Sequence, residues 1–226
     1  MKKALVLLSG GLDSTTCLAQ AIESFGRCNV FALNAHYRQK HSREIISARQ
    51  IAEYYKISYY EIDLSEVMKY SNCSLLENST EEVPEGEYAQ QERKDGDPVS
   101  TYVPFRNGVL ASVASAIALS LGADAVILGI HKDDAAGEAY PDCSISFFES
   151  MKKAVEEGTA GKITLLSPFV DCNKSDIVKE GLRLKVPYEL TWSCYNGGEK
   201  PCGKCGTCID RRKAFEINGA ADPLDE

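Results

Sequence analysis

The stretch that most constrains this chain lies at its start, where Ala4-Leu5-Val6-Leu7-Leu8 runs into Ser9-Gly10-Gly11-Leu12-Asp13-Ser14. An unbroken apolar run suits a strand buried on both faces of a parallel sheet, and the glycines allow a sharp turn after it. Ser14 is a favourable N-cap, and Leu18, Ala19, Ile22 and Phe25 recur at the spacing of one helical face, which predicts a helix over Thr15–Phe25. Strand, glycine turn and helix N-terminus together present free N–H groups and a positive dipole end to an anion, most naturally a phosphate. The plainer alternative is an ordinary strand-to-helix turn with a capping serine.

The turn is neither of the two best-known phosphate loops. It lacks the Gly-Lys-Ser/Thr ending of a Walker A loop and the G-x-G-x-x-G of a dinucleotide fingerprint. S-G-G-L-D-S after a hydrophobic strand resembles the PP-loop of the ATP pyrophosphatases, which break ATP between its α- and β-phosphates and transfer AMP to an oxygen of the substrate. The resemblance implies ATP contacts from Leu8, Ser9, Gly10, Gly11, Leu12, Asp13, Ser14 and Thr15.

With 226 residues, the chain fits one α/β domain with a small appendage. Hydrophobic content of 44% and charged content of 26% are ordinary for a soluble globular protein. The apolar run after Lys3 is too short for a signal or a membrane span, so a cytoplasmic protein without membrane contact is expected. A net charge of −8 argues against a protein that grips a long nucleic acid, and favours a small-molecule substrate.

Strands alternate with helices through most of the chain. Asn29–Asn34 reads as a second buried strand, followed by His36-Tyr37-Arg38-Gln39-Lys40-His41 and a helix over Ser42–Tyr55 with Ile45, Ile46, Ala48, Ile51 and Ala52 inward. Ligands of open α/β sheets bind beyond the carboxyl ends of strands, so His36, Tyr37 and Gln39 are candidates to line a nucleotide pocket, against the alternative of a solvated loop. A third strand spans Ile57–Ile62. The polar, acidic segment 64–100 shows no period and reads as a lid or insertion at the active site.

Pattern returns at Val103-Pro104-Phe105-Arg106-Asn107, which opens a helix over Asn107–Leu121, ended by Gly122. Arg106 and Asn107 then stand at a helix N-terminus, where a fork of donors can meet a carboxylate, phosphate or purine edge. Asp124–Ile130 is the fourth strand and delivers His131-Lys132-Asp133-Asp134 and Tyr140-Pro141-Asp142-Cys143 to the same sheet edge. A helix over Phe147–Glu157, a strand over Ile163–Leu166, and a helix capped by Asn173 with Asp176 three residues on complete a parallel, doubly wound, Rossmann-like sheet.

Four of the nine cysteines crowd into Cys194-Tyr195-Asn196-Gly197-Gly198-Glu199-Lys200-Pro201-Cys202-Gly203-Lys204-Cys205-Gly206-Thr207-Cys208. Two overlapping C-x-x-C steps and one upstream cysteine suit closed tetrahedral Zn²⁺ at about 2.3 Å per bond, with an iron–sulfur cluster or a disulfide pair as alternatives. A helix over Ile209–Ile217 would pack this loop onto the domain. The division expected is an α/β domain over 1–190 and a zinc-binding module over 191–226.

Taken together, S-G-G-L-D-S, H-Y-R-Q-K-H, V-P-F-R-N, Y-P-D-C and the terminal cysteine run resemble the 7-cyano-7-deazaguanine synthases of queuosine biosynthesis over nearly the full length. The resemblance implies an ATP-dependent carbon–nitrogen ligase that converts 7-carboxy-7-deazaguanine and ammonia into the nitrile, with Mg²⁺ and a bound Zn²⁺, as a homodimer. It implies phosphate binding by the turn, with Asp13, Lys174 and Arg106 catalytic. Arg106, Asn107 and Asp142 would hold the substrate, Asp142 on its guanine-type N–H edge, and Cys194, Cys202, Cys205 and Cys208 would hold the metal. For Lys174 the alternative is a surface helix lysine.

Three departures from the family pattern bear on the substrate: Ser144 where arginine is usual, Lys40 where arginine is more usual, and a longer loop at 133–139. A paralogue that activates another carboxylate would share these features. A separate rival is a sulfur-transfer enzyme acting on tRNA, which needs a reactive, exposed Cys143 and a basic binding face, against the acidic balance of the chain. A non-catalytic module would bind ATP without releasing pyrophosphate.

Overall fold

Ala4–Leu7 forms the central strand, β1, because its side chains alternate between two separate cores. Ala4 and Val6 join the core on one face of the sheet and Leu5 joins that on the other. The structure, a computed structural model, describes residues 1–86, 98–134 and 139–225.

β2 (Val30–His36), β3 (Ser58–Asp63), β4 (Ala125–Ile127) and β5 (Thr164–Leu166) complete a five-stranded sheet of order β3-β2-β1-β4-β5. Every neighbouring pair is parallel. The doubly wound sheet is thus as expected. Chain order reverses between β1 and β4, which opens a crevice at the carboxyl end of β1.

Helices α1 (Leu12–Phe25), α2 (Arg43–Tyr55) and α6 (Lys174–Arg183) cover one face, and α4 (Arg106–Leu121) and α5 (Ile145–Gly158) the other; a short α3 (Ser65–Met68) follows β3. The C-terminal helix α7 (Gly206–Ile217) places Ala214 and Phe215 in the same core as β1 and α1. Its Arg211 forms a buried pair with Asp222, Nε to Oδ2 at 2.7 Å, and also donates to Thr191 Oγ1 and the Tyr188 carbonyl. Removing one partner of such a pair costs about 3–5 kcal/mol, so this network fixes the 188–193 segment.

Some boundaries differ from the sequence reading. α1 starts at Leu12 rather than Thr15, because Gly11 takes the N-cap position and Ser14, inside the first turn, turns its hydroxyl back to the loop. β2 runs two residues further, pairing with β3 as far as His36 opposite Asp63. Ile46 is exposed rather than inward, since α2 buries Ser47, Ala48, Ile51 and Ala52 instead. The Asn173–Asp176 capping box is present as read.

Part of segment 64–100 is ordered by a small core of Leu64, Met68, Cys73 and Leu76 against Tyr37 and Val103. Its end reaches the cysteine run, where Glu85 bridges to Cys205. The rest of the expected lid, 87–97, and 135–138 of the loop at 133–139 lie outside the described residues. Ser144 caps α5 by accepting from the Phe147 N–H at 3.2 Å, and Lys40 Nζ donates to the Glu81 carbonyl at 2.8 Å, which gives both departures a local structural use. No helix among the described residues is long and apolar enough to cross a membrane.

Candidate active site and metal centre

The glycine turn forms one end of a cleft at the crevice, and two close approaches explain its composition. Gly10 has φ +92°, and a Cβ there would lie 2.2 Å from the Glu44 carbonyl oxygen of α2. Gly129, beyond β4, lies against the first turn of α1, where a Cβ would meet the Ser14 nitrogen at 3.1 Å. Hydroxyls brace the loop: Ser9 Oγ and Ser14 Oγ are 2.9 Å apart, Gly11 N–H donates to Ser9 Oγ, and Thr15 Oγ1 donates to the Gly11 carbonyl at 2.7 Å. The first N–H groups of α1 are left for a ligand, as at any helix start, with the positive dipole end behind them.

Charge is concentrated beside this turn. Lys174 stands first in α6 behind its capping box, its N–H bound to Asp133 Oδ2 at 2.8 Å, and its Nζ lies 3.2 Å from Asp13 Oδ2. The surface-lysine alternative is thereby excluded, for the Lys174 side chain is only 13% exposed. Burial works against the charge on Lys174, yet Asp13, Asp134 and Asp210 outweigh it and raise its pKa, so it stays an ammonium. Burial likewise opposes ionisation of Asp13, but Lys174 and His131 overcome it and hold the carboxyl below its ordinary range. His131, 1% exposed, has Nε2 3.3 Å from Asp134 and 3.8 Å from Asp13. Asp13 Oδ1 is buried with no hydrogen-bond partner among the described residues, as expected of an oxygen that meets a cation or a bound ligand.

At the other side of the cleft stand Arg106, Tyr37, Asn34 and Glu44. Arg106 Nη1 donates to the Tyr37 hydroxyl at 3.1 Å, and the Tyr37 N–H donates to Gln39 Oε1 at 2.9 Å. Asn34 Nδ2 donates to the Leu8 carbonyl at 2.7 Å, which ties β2 to the start of the turn. Burial pushes the Glu44 carboxyl up to about 7, opposed by Arg106. Trp192, Ser193 and Tyr195 close the rim, with Arg43 stacked on Trp192 at 5.1 Å.

Of the residues read from the sequence, Leu8, Ser9, Gly11, Asp13, Ser14, Tyr37, Gln39, Arg106, Asn107 and Lys174 line this cleft together. Gly10, Leu12 and Thr15 stand behind it in structural roles. His36 lines an adjoining hollow with Arg38, Lys40 and His41, and its Nδ1 is 3.5 Å from Asp63. Asp142 sits beneath the cleft wall, 3% exposed, with Oδ2 accepting the Asn107 N–H at 2.8 Å and its carbonyl accepting from Asn107 Nδ2. Glu44, Asn34 and Trp192 were not singled out from the sequence. Glu44 looks there like an ordinary acid in a helix's first turn, whereas Asn34, the one polar residue inside a buried strand, carried a readable signal.

The Sγ atoms of Cys194, Cys202, Cys205 and Cys208 all lie within 4.8 Å of one another. Four bonds of 2.3 Å at tetrahedral angles would place the sulfurs about 3.8 Å apart. The set therefore fits a single ion better than a cluster, whose several metal atoms would spread the sulfurs further. N–H groups of Asn196 and Cys202 point at Cys194 Sγ, and those of Lys204 and Cys205 at Cys202 Sγ, an outer layer that stabilises thiolates. The centre lies against Trp192, so an ion there would brace the rim of the cleft.

The model of the queuosine biosynthesis protein QueC family matches residues 3–219. The chain belongs to the QueC family. A QueC relative from Psychromonas ingrahamii, named 7-cyano-7-deazaguanine synthase, is 40% identical over 223 residues, covering 99% of this chain and 97% of its own. One of the same name from Methanoculleus marisnigri is 43% identical over 229 residues, covering 100% of this chain and 99% of its own. Such synthases are carbon–nitrogen ligases. Among solved structures, an NH3-dependent NAD synthetase from Campylobacter jejuni shares the fold, with a TM-score of 0.53 at 17% identity, covering 96% of this chain and 76% of that one.

Proposed function

We propose that this QueC chain is a 7-cyano-7-deazaguanine synthase that joins 7-carboxy-7-deazaguanine to ammonia at the expense of ATP. What carries this reading, beside family membership, is one cleft that holds an N–H-rich helix start, the Asp13–Lys174 pair and, opposite them, Arg106.

A carboxylate is a poor electrophile. In the reading advanced here, its oxygen attacks the α-phosphorus, pyrophosphate leaves, and the acid becomes a mixed anhydride with AMP. Ammonia then displaces AMP through its lone pair and sheds a proton, leaving the amide. A second adenylation, on the amide oxygen, lets that oxygen depart with AMP as two N–H protons are lost and the nitrile forms. The free N–H groups of α1 would hold the phosphates, and Lys174 would stabilise the negative charge that builds on the α-phosphoryl oxygens. Asp13 keeps Lys174 in place, and its unpaired Oδ1 fits Mg²⁺, which supplies charge neutralisation to phosphates. The four cysteines would hold Zn²⁺ in a structural, closed site. Arg106 and Asn107 would face the purine-like substrate.

A sulfur-transfer activity finds no support at Cys143, which is 3% exposed, accepts from Asn107 Nδ2 at 3.2 Å and has its thiol pKa pushed far up by burial. A small-molecule substrate, without nucleic acid or membrane, fits the cleft and the acidic balance, and we extend the homodimer to this chain by analogy.

Incubation of purified protein with ATP, Mg²⁺, ammonium and 7-carboxy-7-deazaguanine is expected to give the nitrile, AMP and pyrophosphate by mass spectrometry. AMP formed without nitrile, or nitrile formed only from another acid, would replace this reading with that of a paralogue.

A further inference from the structure

One oxygen of the Asp142 carboxylate accepts the Asn107 N–H at the start of α4, and Asp142 does not itself line the cleft, which leaves open what reads the guanine-type edge of the substrate. A guanine edge presents a carbonyl oxygen, a ring N–H and an amino group in a row. Its protein complement is a donor beside a carboxylate with both oxygens available.

The cleft holds one such arrangement. The Glu44 backbone is fixed against the phosphate turn by the close packing at Gly10. Its side chain lines the cleft, and no described residue donates a hydrogen bond to its carboxylate. Arg106 acts on it electrostatically, yet no ion pair joins the two, so neither group spends its hydrogen bonds on the other and both line the cleft. Arg106 is itself oriented by Tyr37. In the same wall Asn34, 2% exposed, has its Oδ1 buried without a partner, a further acceptor awaiting a donor. A buried acceptor such as Asn34 Oδ1 is costly unless a ligand donor completes it, and the Glu44 carboxylate, partly open to the same cleft, is placed to accept from that ligand as well.

We propose that Glu44 accepts the ring N–H and amino protons of the deazaguanine while Arg106 donates to its carbonyl oxygen, making Glu44 the residue that selects a guanine-type acid. This rests on the function proposed above and deepens it.

The test compares 7-carboxy-7-deazaguanine with the analogue lacking the exocyclic amino group, in the wild-type protein and in Glu44→Gln. Wild type is expected to prefer the full substrate in kcat/KM by about 10- to 100-fold, the worth of a hydrogen bond to a charged group. In Glu44→Gln the KM for the full substrate rises by a similar factor, the preference shrinks to within about 3-fold, and the KM for ATP stays within about 2-fold. A merely structural role would lower turnover of both acids alike and leave the preference intact. A rise in the KM for ATP alone would hand Glu44 to the nucleotide, and a wild type indifferent to the amino group would overturn the proposal even if the variant failed to fold. If wild type turns over neither acid, the function itself fails rather than the assignment of Glu44.

Discussion

Lys174→Ala is expected to lower kcat by about 100- to 1,000-fold, the usual cost of removing one preorganised group aimed at developing charge. The substitution removes the ammonium and leaves the Asp13 carboxylate, half-buried, without its closest counter-charge. Asp13→Asn is expected to fall in the same range, and the double variant by little more than either alone, because the two act as a unit. Steady-state kinetics on the three variants, with circular dichroism to confirm the fold, checks this. Additive losses, or a Lys174→Ala enzyme within about 3-fold of wild type, would remove the pair from the chemistry.

The second large effect is on stability. Cys205→Ser is expected to abolish stoichiometric metal binding, since a hydroxyl does not replace a thiolate in a closed four-sulfur site. Cys205 is 1% exposed and carries the bridge to Glu85, and its neighbour Trp192 closes the cleft. Loss of a structural metal belongs with the largest single-residue effects, about 4 kcal/mol or more. At about 2–4 °C per kcal/mol for a chain of this length, Tm should drop by roughly 8–16 °C. Metal analysis and calorimetry measure both. Zinc retained at wild-type stoichiometry, or an unchanged Tm, would contradict a structural metal centre at these four cysteines.

The glycine turn, the start of the helix that carries Lys174 and the cysteine run were legible in the sequence for a shared physical reason: each depends on local chain chemistry. A strand entering a helix through glycines, an N-cap followed three residues later by an acid, and thiols three residues apart all fix their geometry over a few residues. Glu44 was hidden because its place at the cleft depends on how α2 packs, with its backbone set against the glycine turn at Gly10. Asp142 was read as a substrate contact from the family resemblance; that its carboxylate also accepts the Asn107 N–H in the first turn of α4 is a packing fact that only the fold brings out. The start of α1 was placed three residues late because Ser14 has the composition of a cap but spends its hydroxyl on Ser9 and the Gly11 carbonyl.

The central claim, that this cleft activates an acid as its mixed anhydride with AMP, is tested most directly by isotope transfer. The substrate is prepared with oxygen-18 in both carboxylate positions and turned over in ordinary water with ATP and ammonium. The account predicts that both labelled oxygens leave bound to phosphorus, one in each of the two AMP molecules released per nitrile, and none in pyrophosphate. Unlabelled AMP, with the oxygen-18 found in solvent, would contradict it.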